Sequence, residues 1–327
     1  AGVQSVNGEV ALPITNRSAP PALRNRGRRV WAMEGSPTMR VALFVPCYVD
    51  QFRPRVAADA AWLLRELGHE VFIPRDQTCC GQPAFNAGFW PESRRAARQF
   101  LRVFGDHECI VAPSGSCVAM VRNKYPVLFA GEPEAALAQE IGARVHEWSS
   151  FLVDYLGVTD LGACFPATVT FHDSCHPLRE LGVRDQPRAL LAQVRGLTLV
   201  EMAHSEVCCG FGGVFSVKYP ELSTVMADEK LDNAVATGAH YLVGVEASCL
   251  LHLQGRRSTG PRSATSGHGT GVRSTYFCPS GDMYTGHGPT SMLILPLSTL
   301  TSLAVPSMSV TSAAGEIGHS ETGIAFR

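Results

Sequence analysis

Eight of the eleven cysteines fall into two sets of four with the same internal order. The first set is Cys47, the adjacent pair Cys79-Cys80 followed by Gly81, and Cys117. The second is Cys175, the pair Cys208-Cys209 followed by Gly210, and Cys249. The intervals are 32 and 37 residues in the first set, 33 and 40 in the second. Four thiolates brought together repel one another unless a cation compensates them, so each set asks for metal. A glycine after the pair admits positive φ and lets backbone amides turn toward sulfur. Hydrogen bonds of that kind tune the potential of an iron–sulfur cluster. Zinc is the main rival, but structural zinc sites usually include two ligands only a few residues apart, and neither set has such a spaced pair. A thiol–disulfide or purely structural role is the remaining reading.

The sets need a scaffold that returns the chain to one place every 30 to 40 residues, and a βαβ crossover takes about 30 or more residues. The pattern from Met39 fits. Val41-Ala42-Leu43-Phe44-Val45 reads as a buried parallel strand ending at Cys47, and Val56 to Leu67 as a helix stopped by Gly68. Glu70 to Pro74 and Cys109 to Ala112 read as further strands, with a helix from Pro91 to Phe104 between them and another from Val145 to Leu156. The order then recurs. Strands are expected at 168–171, 197–202 and 241–245, helices at 187–194 and 221–235. The predicted fold class is α/β, two tandem pseudo-symmetric βαβ repeats with parallel sheets. In such sheets ligands lie at the carboxyl ends of the strands, where each set of sulfurs is expected to gather.

The expected domains are residues 39–160 and 161–254. Residues 1–38 show no period and read as a disordered leader or mistranslated upstream segment, carrying the basic cluster Arg24, Arg26, Arg28 and Arg29. Residues 255–327 are rich in Ser, Thr and Gly and read as a disordered low-complexity tail, with a frameshift as the preferred origin. The second repeat is therefore expected to lack its closing element.

Composition narrows the function. Hydrophobic residues at 45% suffice for a core, and a net charge of −1 gives no general attraction to nucleic acid. No stretch is long and apolar enough to span a membrane, and Ala1 to Arg29 has no charged start followed by an apolar run. Cysteines used this way point to thiolate chemistry in a reducing cytoplasm. Neither a Walker loop nor a G-x-G-x-x-G after a strand is present, so nucleotide cofactors gain no support.

The stretches Thr78-Cys79-Cys80-Gly81-Gln82-Pro83-Ala84, Ala112-Pro113-Ser114-Gly115-Ser116-Cys117, His172-Asp173-Ser174-Cys175-His176 and Cys208-Cys209-Gly210-Phe211-Gly212-Gly213 carry a resemblance. From Met39 to Leu253 the chain resembles the paired CCG cysteine-rich domains found in heterodisulfide reductase and in the iron–sulfur component of glycolate oxidase, and more closely their lactate-utilization branch. The resemblance implies a cytosolic iron–sulfur subunit that works with two other lactate-utilization subunits to oxidise a small 2-hydroxy acid, L-lactate, to pyruvate. A glycolate oxidase-like complex and a heterodisulfide-type thiol–disulfide reductase are the alternatives, and a metal-stabilised binding module without redox function is a third. In the heterodisulfide reductase relatives the last cysteine belongs to a C-x-x-C pair. Here its first position is Ser114 in one repeat and Glu246 in the other. Four cysteines per site make an ordinary 4Fe–4S cluster, one or two per chain, the simpler expectation. Ser114 and Glu246 remain candidates to supply an oxygen ligand, and His172 and His176 to hydrogen-bond sulfide, shuttle a proton or ligate the metal, most simply from around the cluster. His204 reads as a solvated loop residue, Asp173 as a helix cap, and Cys109 and Cys164 as small apolar residues.

Overall fold

The computed structural model describes residues 38–259 and three short strands at 275–277, 283–285 and 293–296. Most of the expected leader and tail, Cys278 included, lies outside the described residues. The first repeat contains β1 (Arg40–Leu43), β2 (Glu70–Phe72), β3 (Ile110–Ala112) and β4 (Val145–Glu147) in the spatial order β2-β1-β3-β4, all parallel. The second has β5 (Thr168–His172), β6 (Thr198–Leu199) and β7 (Tyr241–Gly244), with β5 at the centre and parallel to both neighbours. Placing the first strand in the middle makes a topological switch point between β1 and β3, and again between β5 and β7. A ligand crevice is expected at the carboxyl ends of those strands.

Two elements differ from expectation. The helix predicted from Val145 to Leu156 begins as a strand: Val145 lies opposite Ile110 in β4. The chain turns helical only at Trp148 because the Glu147 carboxylate accepts the Ser150 N–H at 3.0 Å and caps the new turn. The second sheet also has a fourth strand. A β8–β9 hairpin (Thr275–Phe277 with Met283–Thr285) is followed by β10 (Leu293–Pro296), which pairs antiparallel with β7 at the edge corresponding to that held by β4. The helix after β7, Ala247–Thr259, runs on beyond residue 254. Low complexity hides these pieces because a strand of three or four residues leaves almost no periodicity to read.

One face of each sheet contributes to a single shared core. Val41, Leu43 and Val111 of the first repeat lie in one buried cluster with Val169, Phe171 and Val243 of the second, joined by Trp148 and Phe151. The opposite faces have separate cores, one around Phe44, Phe100 and Phe104, the other around Leu242, Leu250 and Ala227. At the sulfur-bearing end the repeats cross-pack. The helix Gly115–Ala119 lies on the helix Cys175–Leu181, and Cys47–Phe52 lies against Ala247–Thr259.

Gly115 makes the first of these approaches possible. A Cβ there would sit 2.4 Å from Cγ of Pro177 and 3.3 Å from Cγ of Glu147. Gly115→Ala should therefore cost about 1–3 kcal/mol by overpacking. Urea unfolding will show a lower midpoint with an unchanged slope, since the loss is in stability and not in surface exposed.

Candidate metal centre

Each quartet is built the same way. Cys47 opens the helix after β1, Cys117 is the third residue of the helix after β3, and the Cys79-Cys80 pair precedes the helix Gln82–Asn86. In the second repeat Cys175 opens the helix after β5, Cys249 is the third residue of the helix after β7, and Cys208-Cys209 lies in the loop between. The Sγ of Cys47 is 3.6 Å from that of Cys79, and Cys80 is 3.4 Å from Cys117. In the second set Cys175 interacts with Cys208, and Cys209 with both Cys208 and Cys249. All eight sulfur-bearing residues line one cavity of about 100 Å³ between the repeats.

The glycine of each Cys-Cys-Gly does two things. Gly81 and Gly210 have φ of +85° and +88°, and their amides donate to the Sγ of Cys79 and Cys208 at 3.4 Å in both repeats. Their carbonyls accept the hydroxyls of Ser93 and Ser223, which tie the loops to the helices Trp90–Phe104 and Pro220–Ala236. A Cβ on Gly210 would meet the Ser223 carbonyl oxygen at 2.5 Å, so both backbone angle and space demand glycine.

Shared protons show the electrostatic demand of the site. Hydrogen bonds from Cys47 and then Cys80 hold Cys79 far below the ordinary thiol value, while the same contact pushes Cys47 up. Cys208 is lowered in the same way by Cys175 and Cys209, and Cys175 is raised. Cys249 is lowered too, first by its hydrogen bond from Cys209, and Cys209 is raised in turn. Each anionic sulfur thus depends on a neighbouring thiol that keeps its proton. Four thiolates in one set would repel one another, and no Lys or Arg is among the residues lining the cavity to compensate them. A cationic metal group with thiolate ligands answers that demand. The donor set fits it.

The other predicted residues are placed as follows. Ser114 donates from Oγ to Oε1 of Glu246 at 2.6 Å, and the Ser116 N–H donates to Oε2 at 2.9 Å, so the two positions that replace the extra cysteines bond each other across the repeats. Burial and then the Cys249 charge push the Glu246 carboxyl up to about 7, against the hydrogen bonds from Ser114 and Ser116. His176 Nδ1 lies 3.5 Å from the Cys175 sulfur, and the residue lines the cavity. His172 is fully buried, both ring nitrogens lack a hydrogen-bond partner, and one stands within 4.8 Å of the sulfurs of Cys209 and Cys249. His204 is exposed, in a left-handed conformation at φ 55°. Cys109 is buried in the shared core, which pushes its thiol up to about 12.

Asp173 is a correction: it caps nothing. Its carboxylate takes two hydrogen bonds from Arg188 and one from Ser205, each 2.8 Å, and the Asp173 N–H donates to the Ser205 carbonyl at 3.1 Å. It thereby fastens the Cys175 loop to the segment leading into Cys208. Lys230 is a residue that sequence reasoning misses. It is buried, and its ammonium donates to the carbonyls of His204 and Ser205. A signal for it exists: Lys230 shares the buried helix face of Ala227 and Ala234, at i+3 and i+4 spacing.

Two sheets presenting paired sulfur quartets from the switch points of their parallel strands define a tandem cysteine-rich domain. The CCG cysteine-rich domain profile matches residues 41–122 and 169–254. Lactate utilization protein A 1 of Bacillus cereus (strain AH820) is 45% identical over 219 residues, 67% of this chain and 91% of that protein. Lactate utilization protein A of Bacillus cytotoxicus and of Bacillus thuringiensis (strain Al Hakam) match with the same identity and coverage. The chain belongs to the CCG cysteine-rich domain family, in the group formed by these lactate utilization A proteins. Among the described residues no helix is long and apolar enough to cross a membrane.

Proposed function

We propose that this chain is a cytoplasmic iron–sulfur electron-transfer subunit that acts with two further lactate-utilization proteins to oxidise L-lactate to pyruvate. Its two domains begin at about residues 39 and 161, and each quartet, Cys47/79/80/117 and Cys175/208/209/249, holds one 4Fe–4S cluster. The observation that carries the reading is the convergence of all eight cysteines on one cavity. The names of the relatives supply lactate. Bound there, the clusters supply one-electron transfer. The residues around them have definite tasks. Gly81 and Gly210 donate amides to sulfur. Tyr48 and Phe211 meet edge to face at 5.2 Å across the repeats and both line the cavity.

Charge indicates where the hydroxy acid is oxidised. A carboxylate substrate entering this cavity would meet thiolates and the Glu246 carboxyl, with no Lys or Arg lining it. Uncompensated burial of an anion beside other anions is strongly unfavourable. Lactate is therefore oxidised on a partner, and this chain receives the electrons. Purified without air, the chain should contain iron and acid-labile sulfide in about equal amounts, as a 4Fe–4S cluster requires, and dithionite should bleach its visible absorbance. L-Lactate should bleach it only when the partner proteins are present. A preparation that binds zinc alone would end this reading, and bleaching by lactate in the isolated chain would move the substrate site here.

A further inference from the structure

The two quartets share a design, but what lies behind them differs. His172 stands three residues before Cys175, and the residue three before Cys47 is Phe44. Lys230 stands seven residues after Ser223, the serine that holds Gly210, and the residue seven after the matching Ser93 is Phe100. In the first repeat these two positions are therefore aromatic rings. Phe44 and Phe100 meet edge to face at 5.0 Å, in the same apolar cluster as Cys80 and Cys117. In the second repeat they are an imidazole with two unpartnered nitrogens and a buried ammonium. The His172 ring reaches within 4.8 Å of the Cys209 and Cys249 sulfurs, and Cys208 and Cys209 lie within the electrostatic reach of Lys230.

A buried imidazole with neither nitrogen satisfied is costly, and native structures rarely keep one without a partner. Four thiolates already give each of four irons its terminal ligand, so His172 has no open iron to bind. Its N–H is left to donate to cluster or thiolate sulfur. A donor at sulfur and a nearby cation both stabilise the more negative, reduced state, whereas aromatic rings do neither. We propose that His172, backed by Lys230, makes the group in the second quartet the more easily reduced of the two, so that the second repeat is the receiving end of the subunit. This rests on the reading that both quartets hold iron–sulfur clusters.

The test is a potentiometric titration of the anaerobic full-length protein, followed by electron paramagnetic resonance, with iron measured on every sample. Two reduction waves are expected, and the more positive one should vanish in Cys249→Ser. In His172→Phe, which copies the first repeat, that wave should move negative. At the wild-type midpoint the reduced-to-oxidised ratio should fall about tenfold, equivalent to 59 mV for one electron. The imidazole share of the weak nitrogen-14 modulation of its signal should be lost, leaving that of the Gly210 amide, and His172→Gln, which keeps an N–H donor, should recover part of the shift. Lys230→Met should move the same wave in the same direction and provides the readout if His172→Phe does not fold. Coincident waves, or two waves that neither variant moves, overturn the proposal while leaving the iron–sulfur reading intact. Nitrogen coupling strong enough for a direct iron–nitrogen bond overturns the hydrogen-bond assignment. Absence of iron from the wild type removes both this proposal and the functional reading.

Discussion

Serine in place of Cys209 will empty the second quartet and spare the first, removing about half of the iron and half of the visible absorbance if each quartet holds one cluster. Cys80→Ser will do the reverse, and the double variant will be colourless. The reason is chemical softness: iron–sulfur sites select thiolate, and a serine hydroxyl is a hard donor that stays protonated at neutral pH. Both residues are buried at the centre of their sets, next to Cys249 or Cys117, so no solvent ligand can replace them without rearrangement. Cys109→Ala is the control, because Cys109 lies in the shared core and belongs to neither set. Iron and labile sulfide analysis decide the outcome. Loss of all the iron in both Cys80→Ser and Cys209→Ser would mean that the quartets load together, and full iron in both would exclude them as ligands.

Asp173→Asn will destabilise the protein by about 3 kcal/mol, the scale for removing one partner of a buried ion pair. The Asp173 side chain is 1% exposed and the Arg188 guanidinium stacks 4.8 Å over Phe171. Arg188 would keep only Glu201 as an anionic partner, with Nε 2.6 Å from Oε1. The same pair sets an acid limit. Burial alone would raise the Asp173 carboxyl, but the hydrogen bonds of Arg188 and Ser205 and the Arg188 charge outweigh it and hold the group below its ordinary 3.8. A carboxyl depressed in the folded state contributes stability that is fully present above its unfolded value and is lost as pH falls through its folded value. Wild type should therefore lose this contribution below about pH 4, while Asp173→Asn, already without it, should show a flatter acid limb. Urea midpoints between pH 3 and 7 will show whether the two curves converge.

The parts of this molecule legible from its residues are those that chemistry repeats. Cys-Cys-Gly occurs twice at matched distances, the run before Cys47 is a continuous apolar segment and the stretch before Cys175, Thr168-Val169-Thr170-Phe171, reads as its counterpart strand, so the α/β scaffold follows from the need to gather those sulfurs. What escapes is of two kinds. Short elements carry too few residues to display a period, which is why Val145–Glu147 reads as part of a helix and Leu293–Pro296 is lost in a Ser/Thr-rich stretch. Partnerships between distant positions leave no local trace. Ser114 and Glu246 are each visible as replacements for cysteine, yet nothing in either stretch tells that they bond each other, 132 residues apart. Asp173 stands where a cap belongs, and only the fold brings Arg188 to it.

The common hydrophobic interior has an evolutionary and practical implication. Neither half is a transplantable part: a single repeat moved into another polypeptide would present a bare face of Val41, Leu43 and Val111, or of Val169, Phe171 and Val243, to water. Fragments cut between Gly157 and Thr168 would be held together only by mutual affinity, and dilution would dissolve the partnership. The chain reads as two matching halves, but neither keeps a dry interior without the other.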